Sequence, residues 1–246
     1  MKAHLTYFSK IIEILEKVQS EEKENIEKAV SLFCEAVENK QSIFVFGASH
    51  AGILTEELFY RAGGLAVINP ILESSLMLNT RPITFTSRME RLIGYGEAIA
   101  EKTPLRKGDV ILCHSVSGRN PVMIDFALKA REQGAKLIAI SNVAYSSGVE
   151  SRHPSGKKLM DLAQVVIDNH GEKGDACVEI KGLPQKVSPS STVVGAAIAN
   201  SIVAAAAEIL MGKNIHPPIL YSANIDGGDQ HNNKIFNEYR NVIYYL

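Results

Sequence analysis

A doubly wound α/β fold of the flavodoxin-like kind, with a mainly parallel sheet between helices, is the expectation for this 246-residue chain. Two features point there first. Short, continuous apolar runs such as Ile43-Phe44-Val45-Phe46, Val110-Ile111-Leu112-Cys113 and Leu137-Ile138-Ala139-Ile140 lack polar alternation, as strands buried on both faces do. Segments of helical period lie between them, and strands alternating with helices build parallel sheets. A third feature concerns the joints: the runs at 43 and 110 each end in a small, hydroxyl-rich loop that leads directly into a helix.

The elements follow in order. Residues 4–39 read as two helices, the first with Leu5, Phe8, Ile11, Ile12 and Leu15 at helical spacing. Ser20 is the expected N-cap of the second, whose apolar face is Ile26, Val30, Phe33 and Val37. After the strand at 43–46, a helix is expected over Ala51–Arg61, closed by Gly63-Gly64. A strand at Leu65–Ile68 stops at Asn69-Pro70, and residues 72–102 read as mostly helical, with loops near 79–82. The strand at 110–113 leads to a helix from Pro121, well suited to a first turn, to Gln133. Strands at 137–140, 165–167 and 177–180 precede a long Ala-rich helix over about 191–211, and a last helix is expected over Asn232–Val242. Residues 1–246 are expected to form one domain: N-terminal helices (1–39), an α/β core (40–212) and a C-terminal tail (213–246).

Hydrophobic residues make up 46%, charged residues 22%, and the net charge is −1, so neither nucleic acid nor an anionic membrane is an expected partner. Cys34, Cys113 and Cys177 fit no zinc spacing or paired framework and read as buried thiols in a reducing, cytoplasmic setting. Met1–Lys10 lacks the pattern of a signal peptide. The apolar stretch Val193–Met211 is broken by Asn200, Ser201 and Glu208, as in a packed core helix rather than a membrane span.

Ligands of such sheets bind at the carboxyl ends of the strands. The loops there are Gly47-Ala48-Ser49-His50-Ala51-Gly52 (loop 1) and Ser115-Val116-Ser117-Gly118-Arg119-Asn120 (loop 2). Free N–H groups at a helix start favour an anion, serine hydroxyls add neutral donors, and small residues allow close backbone approach. The pattern suits a phosphate without lysine or metal; simple capping is the plainer alternative. Ser188-Pro189-Ser190-Ser191-Thr192 offers a third hydroxyl-rich helix start. A dinucleotide site is disfavoured, because loop 1 lacks the middle glycine of G-x-G-x-x-G and Asn69 stands where an acidic residue is needed. No P-loop is complete and no H-E-x-x-H pair occurs, so no metal or cofactor is expected. Loop 1 approaches a nucleophile elbow, with Asp229 and His231 downstream, but lacks the final glycine; a serine hydrolase is therefore a minor alternative.

Loop 2 and its surroundings resemble the SIS (sugar isomerase) domain, whose signature is a strand, S-x-S-G-x-T/N, a helix, a glycine and another strand. Here Asp109–Leu112, Ser115–Asn120, Gly134 and Leu137–Asn142 match. The Ser-Gly-Arg-Asn-Pro run is similar to that of the N-acetylmuramic acid 6-phosphate etherases, which commonly carry Thr in place of Asn120. The domain, over residues 40–212, also looks like the phosphoheptose isomerases, and most of all like a separate bacterial branch of SIS proteins. Loop 1 departs from the usual G-x-G-x-S, with Ser49 in place of the second glycine and Ala51 in place of the serine.

The resemblance implies phosphate or sugar contacts at Ser49, Ser115, Ser117, Gly118, Asn120, Ser191 and Thr192. Related enzymes use a glutamate on the helix after loop 1, which here carries Glu56 and Glu57, and some add a histidine, for which His50 is the better placed candidate; Glu73 and His231 are further candidates. The implied function is binding of a sugar phosphate with aldose–ketose isomerisation. A sensor that binds without turnover and an etherase-type elimination remain open. SIS proteins self-associate, so a homo-oligomer, dimer or tetramer, is implied, with the N-terminal and Ala-rich helices as interfaces.

Overall fold

The computed structural model of the chain describes residues 2–246. Helices α1 (Ala3–Glu21) and α2 (Lys23–Glu38) lead into β1 (Ile43–Gly47), α3 (Ile53–Leu58) and β2 (Ile68–Pro70). Two short helices follow, α4 (Thr84–Met89) and α5 (Tyr95–Lys102), then β3 (Val110–His114), α6 (Pro121–Glu132), β4 (Lys136–Ser141), α7 (Val143–Ser147) and β5 (Val165–Asp168). The chain ends with β6 (Ala176–Val178), β7 (Val187–Pro189), α8 (Ser191–Gly212) and α9 (Gly228–Glu238).

The main sheet runs β2-β1-β3-β4-β5 with every pairing parallel, as the apolar runs foretell. Side-chain alternation splits each strand between two cores. Ile43, Val45, Val110, Leu112, Ile138 and Ile140 face the layer containing α1, α2, α8 and α9. Phe44, Phe46, Ile111, Cys113, Leu137 and Ala139 face the layer of α5 and α6. Burial of each large side chain contributes about 1.5–3 kcal/mol, which is why no polar residue interrupts these faces. The three cysteines are buried and unpaired. Among the described residues α8 alone is long and apolar enough to cross a bilayer; in the fold its Val194, Ile198, Ile202 and Ala206 lie in the first core.

Chain direction reverses its winding between β1 and β3, and this places the site. Gly47 is opposite His114, and His114 opposite Ile140, so loops 1 and 2 leave neighbouring strands at one level, about 4.8 Å apart.

Several local expectations are corrected. Ser20 does not cap α2; its hydroxyl donates back to the Lys17 carbonyl at 3.1 Å, and Glu22 is the junction residue. The helix expected over 51–61 becomes a 3-10 turn at Ser49–Gly52 followed by α3, which stops at Leu58 where Phe59 turns extended. Phe59 then packs edge-on against Tyr245, 5.8 Å between rings, so tertiary packing overrides helical period. Strand β2 lies two to three residues later than expected, because Leu65 pairs with Ile219 of the tail instead. Pro70 is tolerated since β2 is an edge strand. The strand expected at 177–180 is β6, Ala176–Val178, outside the main sheet and paired with β7 in a separate antiparallel hairpin. The last helix starts four residues early, after Gly227. The tail is packed into the fold: the Val242 carbonyl accepts from the Ser42 hydroxyl at 3.0 Å and from Asn69 at 2.9 Å.

Candidate functional site

Loop 1 folds back on itself so tightly that a Cβ at Gly47 would stand 2.4 Å from the Ala51 carbonyl oxygen. Only glycine fits there. Ser49 sits at φ 56°, the left-handed region that non-glycine residues seldom adopt. It lines a small cavity with Thr55, Glu56 and, from the segment after β2, Glu73 and Leu76. The Thr55 hydroxyl is buried there without a partner. Glu73 is ion-paired with Lys102. Glu57, expected beside Glu56 as a catalytic candidate, turns away: it pairs with Arg61 and accepts from Asn200 of α8 at 3.0 Å. A helix sends neighbouring residues about 100° apart, so of the two glutamates only Glu56 lines the cavity beside Ser49.

Sequence reading overlooked His114, the last residue of β3. Its ring is 1% exposed, and Nδ1–H donates to the Ala51 carbonyl of loop 1 at 3.1 Å. Burial holds its pKa below the ordinary histidine value, so the imidazole is neutral and Nε2 is a bare acceptor, without a partner and packed against Gly195 of α8. The ring thus fixes loop 1 to the strand beside it.

Loop 2 is held open by its glycine. Gly118 has φ 60°, its N–H donates to the Ser115 hydroxyl at 3.2 Å, and its carbonyl accepts from the Leu159 N–H at 2.9 Å. The remaining donors are free: among the described residues the N–H groups of Val116, Ser117, Arg119 and Asn120 and the Ser117 hydroxyl meet no acceptor. A run of N–H groups that no protein acceptor takes, at a helix start, suits an anion.

Beside that seat lies a charged group that sequence reading also missed. Asn120 donates through Nδ2 to Glu90 at 2.6 Å and accepts through Oδ1 from Arg152 at 2.9 Å. The Glu90 carbonyl accepts from the Val122 N–H at 3.1 Å, clamping the end of α4 onto the first turn of α6. Burial pushes the Glu90 carboxyl above its ordinary value, against the opposing pull of Asn120, Arg91, Arg152 and His50. No short-range signal marks these residues: Glu90 and Asn120 are thirty positions apart and meet only through the winding of the sheet.

The third hydroxyl-rich start is occupied by the protein itself. Asp175 accepts from the N–H of Ser190 at 3.1 Å, the N–H of Ser191 at 2.8 Å and the Ser191 hydroxyl at 2.7 Å. Ser191 is 4% exposed, so the expectation of a ligand contact there is corrected: its donors serve an internal carboxylate. Thr192, half-buried, makes no side-chain hydrogen bond among the described residues. His231 is also engaged elsewhere, donating to the Ile219 carbonyl at 3.0 Å and stacking on Tyr221.

This geometry can be set beside known proteins. The model of the SIS domain matches residues 6–142. A UPF0309 protein of Oceanobacillus iheyensis is 50% identical over 240 residues, and one of Shouchella clausii 48% over 240; each alignment covers 98% of both chains. By structure, the chain is similar to the phosphoheptose isomerase of Neisseria gonorrhoeae, with a TM-score of 0.52, 15% identity, and coverage of 85% of this chain and 96% of that one. A phosphosugar isomerase described as involved in capsule formation in Bacteroides fragilis gives a TM-score of 0.50 at 15% identity, covering 86% and 90%. Those likenesses show the α/β arrangement and its N-terminal helices; the sequence matches show descent. The chain belongs to the SIS-domain family and, within it, to the UPF0309 proteins.

Proposed function

We propose that the chain binds a sugar phosphate with its phosphate on loop 2 and isomerises it between aldose and ketose. The observation that carries the reading is the run of unbonded N–H groups with the Ser117 hydroxyl, next to the half-buried carboxyl of Glu90. The seat fits an oxyanion ester, and the neighbouring carboxyl fits proton transfer at the sugar carbons. Glu90 would take the proton from the carbon next to the carbonyl, leaving an enediolate, and return it to the former carbonyl carbon, while the hydroxyl proton passes to the former carbonyl oxygen. Asn120 orients that carboxyl. On loop 1 and its helix, Ser49 and Glu56 line the small cavity next to β2, where Ser49 would offer a hydroxyl to the sugar.

As a base, Glu90 must be ionised. Its pKa lies above the ordinary 4.5, so turnover falls as pH drops through that raised value and is full above it. The test is a thermal-shift screen of sugar phosphates, followed by NMR of each hit in deuterium oxide. The expected result is deuterium entering the sugar, lost in Glu90→Gln while binding persists. Binding without exchange would make the chain a sensor; no binding would end the reading.

Self-association belongs to the same proposal. Leu5, Phe8 and Ile12 of α1 are 49%, 64% and 55% exposed, and an apolar groove runs between α1, α2 and α8. A second copy would cover both. A monomer by sedimentation at micromolar concentration would contradict this.

A further inference from the structure

We propose that the ligand of loop 2 carries a second oxyanion besides its phosphate, held by Arg91, Arg119 and Arg152; this rests on the phosphosugar reading above. One guanidinium, that of Arg152, is bonded to Asn120, and two more arginines, Arg119 and Arg91, adjoin Asn120 and its partner Glu90 along the chain. Arg152 donates to the Asn120 side chain at 2.9 Å, and the Arg152 N–H donates to the Arg119 carbonyl at 2.9 Å. Glu90 is the only carboxylate bonded into this group among the described residues, one negative charge against three arginines. Arg152 in turn has its pKa lowered by burial and by the charges of Arg119 and Arg91. The Arg119 Nε is buried with no acceptor.

Such a concentration of positive charge is not a by-product of a basic protein, for the chain's net charge is −1. Nor does the phosphate require it: the loop 2 amides and Ser117 already supply a full set of donors. Planar guanidinium groups suit a second planar or tetrahedral oxyanion, to which they donate in pairs. Arg91 and Arg152 are exposed at the rim, where a substituent extending from the seated sugar can reach them. The substrate class is therefore a sugar phosphate with a carboxylate, or with another phosphate.

The test compares affinities of the full chain for glucose 6-phosphate, 6-phosphogluconate and fructose 1,6-bisphosphate by calorimetry. One of the two doubly anionic sugars is expected to bind at least about tenfold tighter than glucose 6-phosphate, a gain of one good charge-assisted contact. Tighter 6-phosphogluconate binding identifies a carboxylate, tighter bisphosphate binding a second phosphate. In Arg91→Gln and Arg152→Gln the ratio of doubly to singly anionic affinity falls toward one. Equal affinities in the parent, or an unchanged ratio in both variants, overturn the proposal and leave the phosphosugar reading standing. Absence of binding by all three removes that reading and this one together.

Discussion

Loop 2 before α6 and residues 188–192 before α8 look alike as sequence. Both are short, hydroxyl-rich entries into a helix, and both have the donors an anion needs. In the fold they have opposite fates. At α8 the carboxylate of Asp175 takes the N–H groups of Ser190 and Ser191 and the Ser191 hydroxyl, at 2.7–3.1 Å. At loop 2 the side chains of Glu90 and Arg152 reach only that of Asn120, and among the described residues the N–H groups of Val116, Ser117, Arg119 and Asn120 stay unbonded. A serine-rich helix start thus predicts that an anion will be held, but not whose. The chain supplies its own anion at one start and leaves the other for a ligand.

The comparison can be broken from either side. The largest effect is expected from Asp175→Ala, which strands two N–H groups and a hydroxyl at a buried helix start. The cost is about 2–3 kcal/mol, by the usual worth of charge-assisted caps. For a chain of this size that is a fall of roughly 5–10 °C in melting temperature. Added sulfate should restore part of it by taking the vacated place; a variant that melts like the parent would mean the Asp175 contacts carry no weight.

Ser117→Ala works on the open start. It removes one donor to the ligand and none to the fold, so affinity for a sugar phosphate falls about tenfold, some 1.4 kcal/mol. The melting temperature without ligand stays put. A loss of stability instead would show that Ser117 belongs to the fold.

The smallest effect belongs to Glu57→Ala. Its partners Arg61 and Asn200 are outside both helix starts, and the Glu57–Arg61 pair is 31% and 46% exposed. Stability is expected to move by no more than about 0.5 kcal/mol, as for a surface pair, with ligand affinity unchanged. A large loss of turnover would return Glu57 to the catalytic role that its helix suggested.

What could be read from the sequence is what is local in the sequence. Strands covered on both faces must be continuous apolar runs, so β1, β3 and β4 are legible without coordinates. Loop 2 is legible because its glycine and serines are consecutive. Asp175 is not: it lies in a charged stretch, Glu172–Asp175, that resembles any surface loop, and reaches α8 only because β6 and β7 fold back on each other. Glu90 and Arg152 are some sixty positions apart and are brought to Asn120 by the winding of the sheet. His114 reads as an ordinary residue following an apolar run, and its role depends on the burial that tertiary packing imposes. Where β2 begins was decided by the tail, since Leu65 pairs with Ile219.

The most direct measurement is an amide NMR titration of the chain with glucose 6-phosphate. The N–H signals of Ser117, Arg119 and Asn120 should move with saturation, and those of Ser190 and Ser191, already bonded to Asp175, should stay where they are. Movement at Ser190 and Ser191 with loop 2 silent would contradict the account.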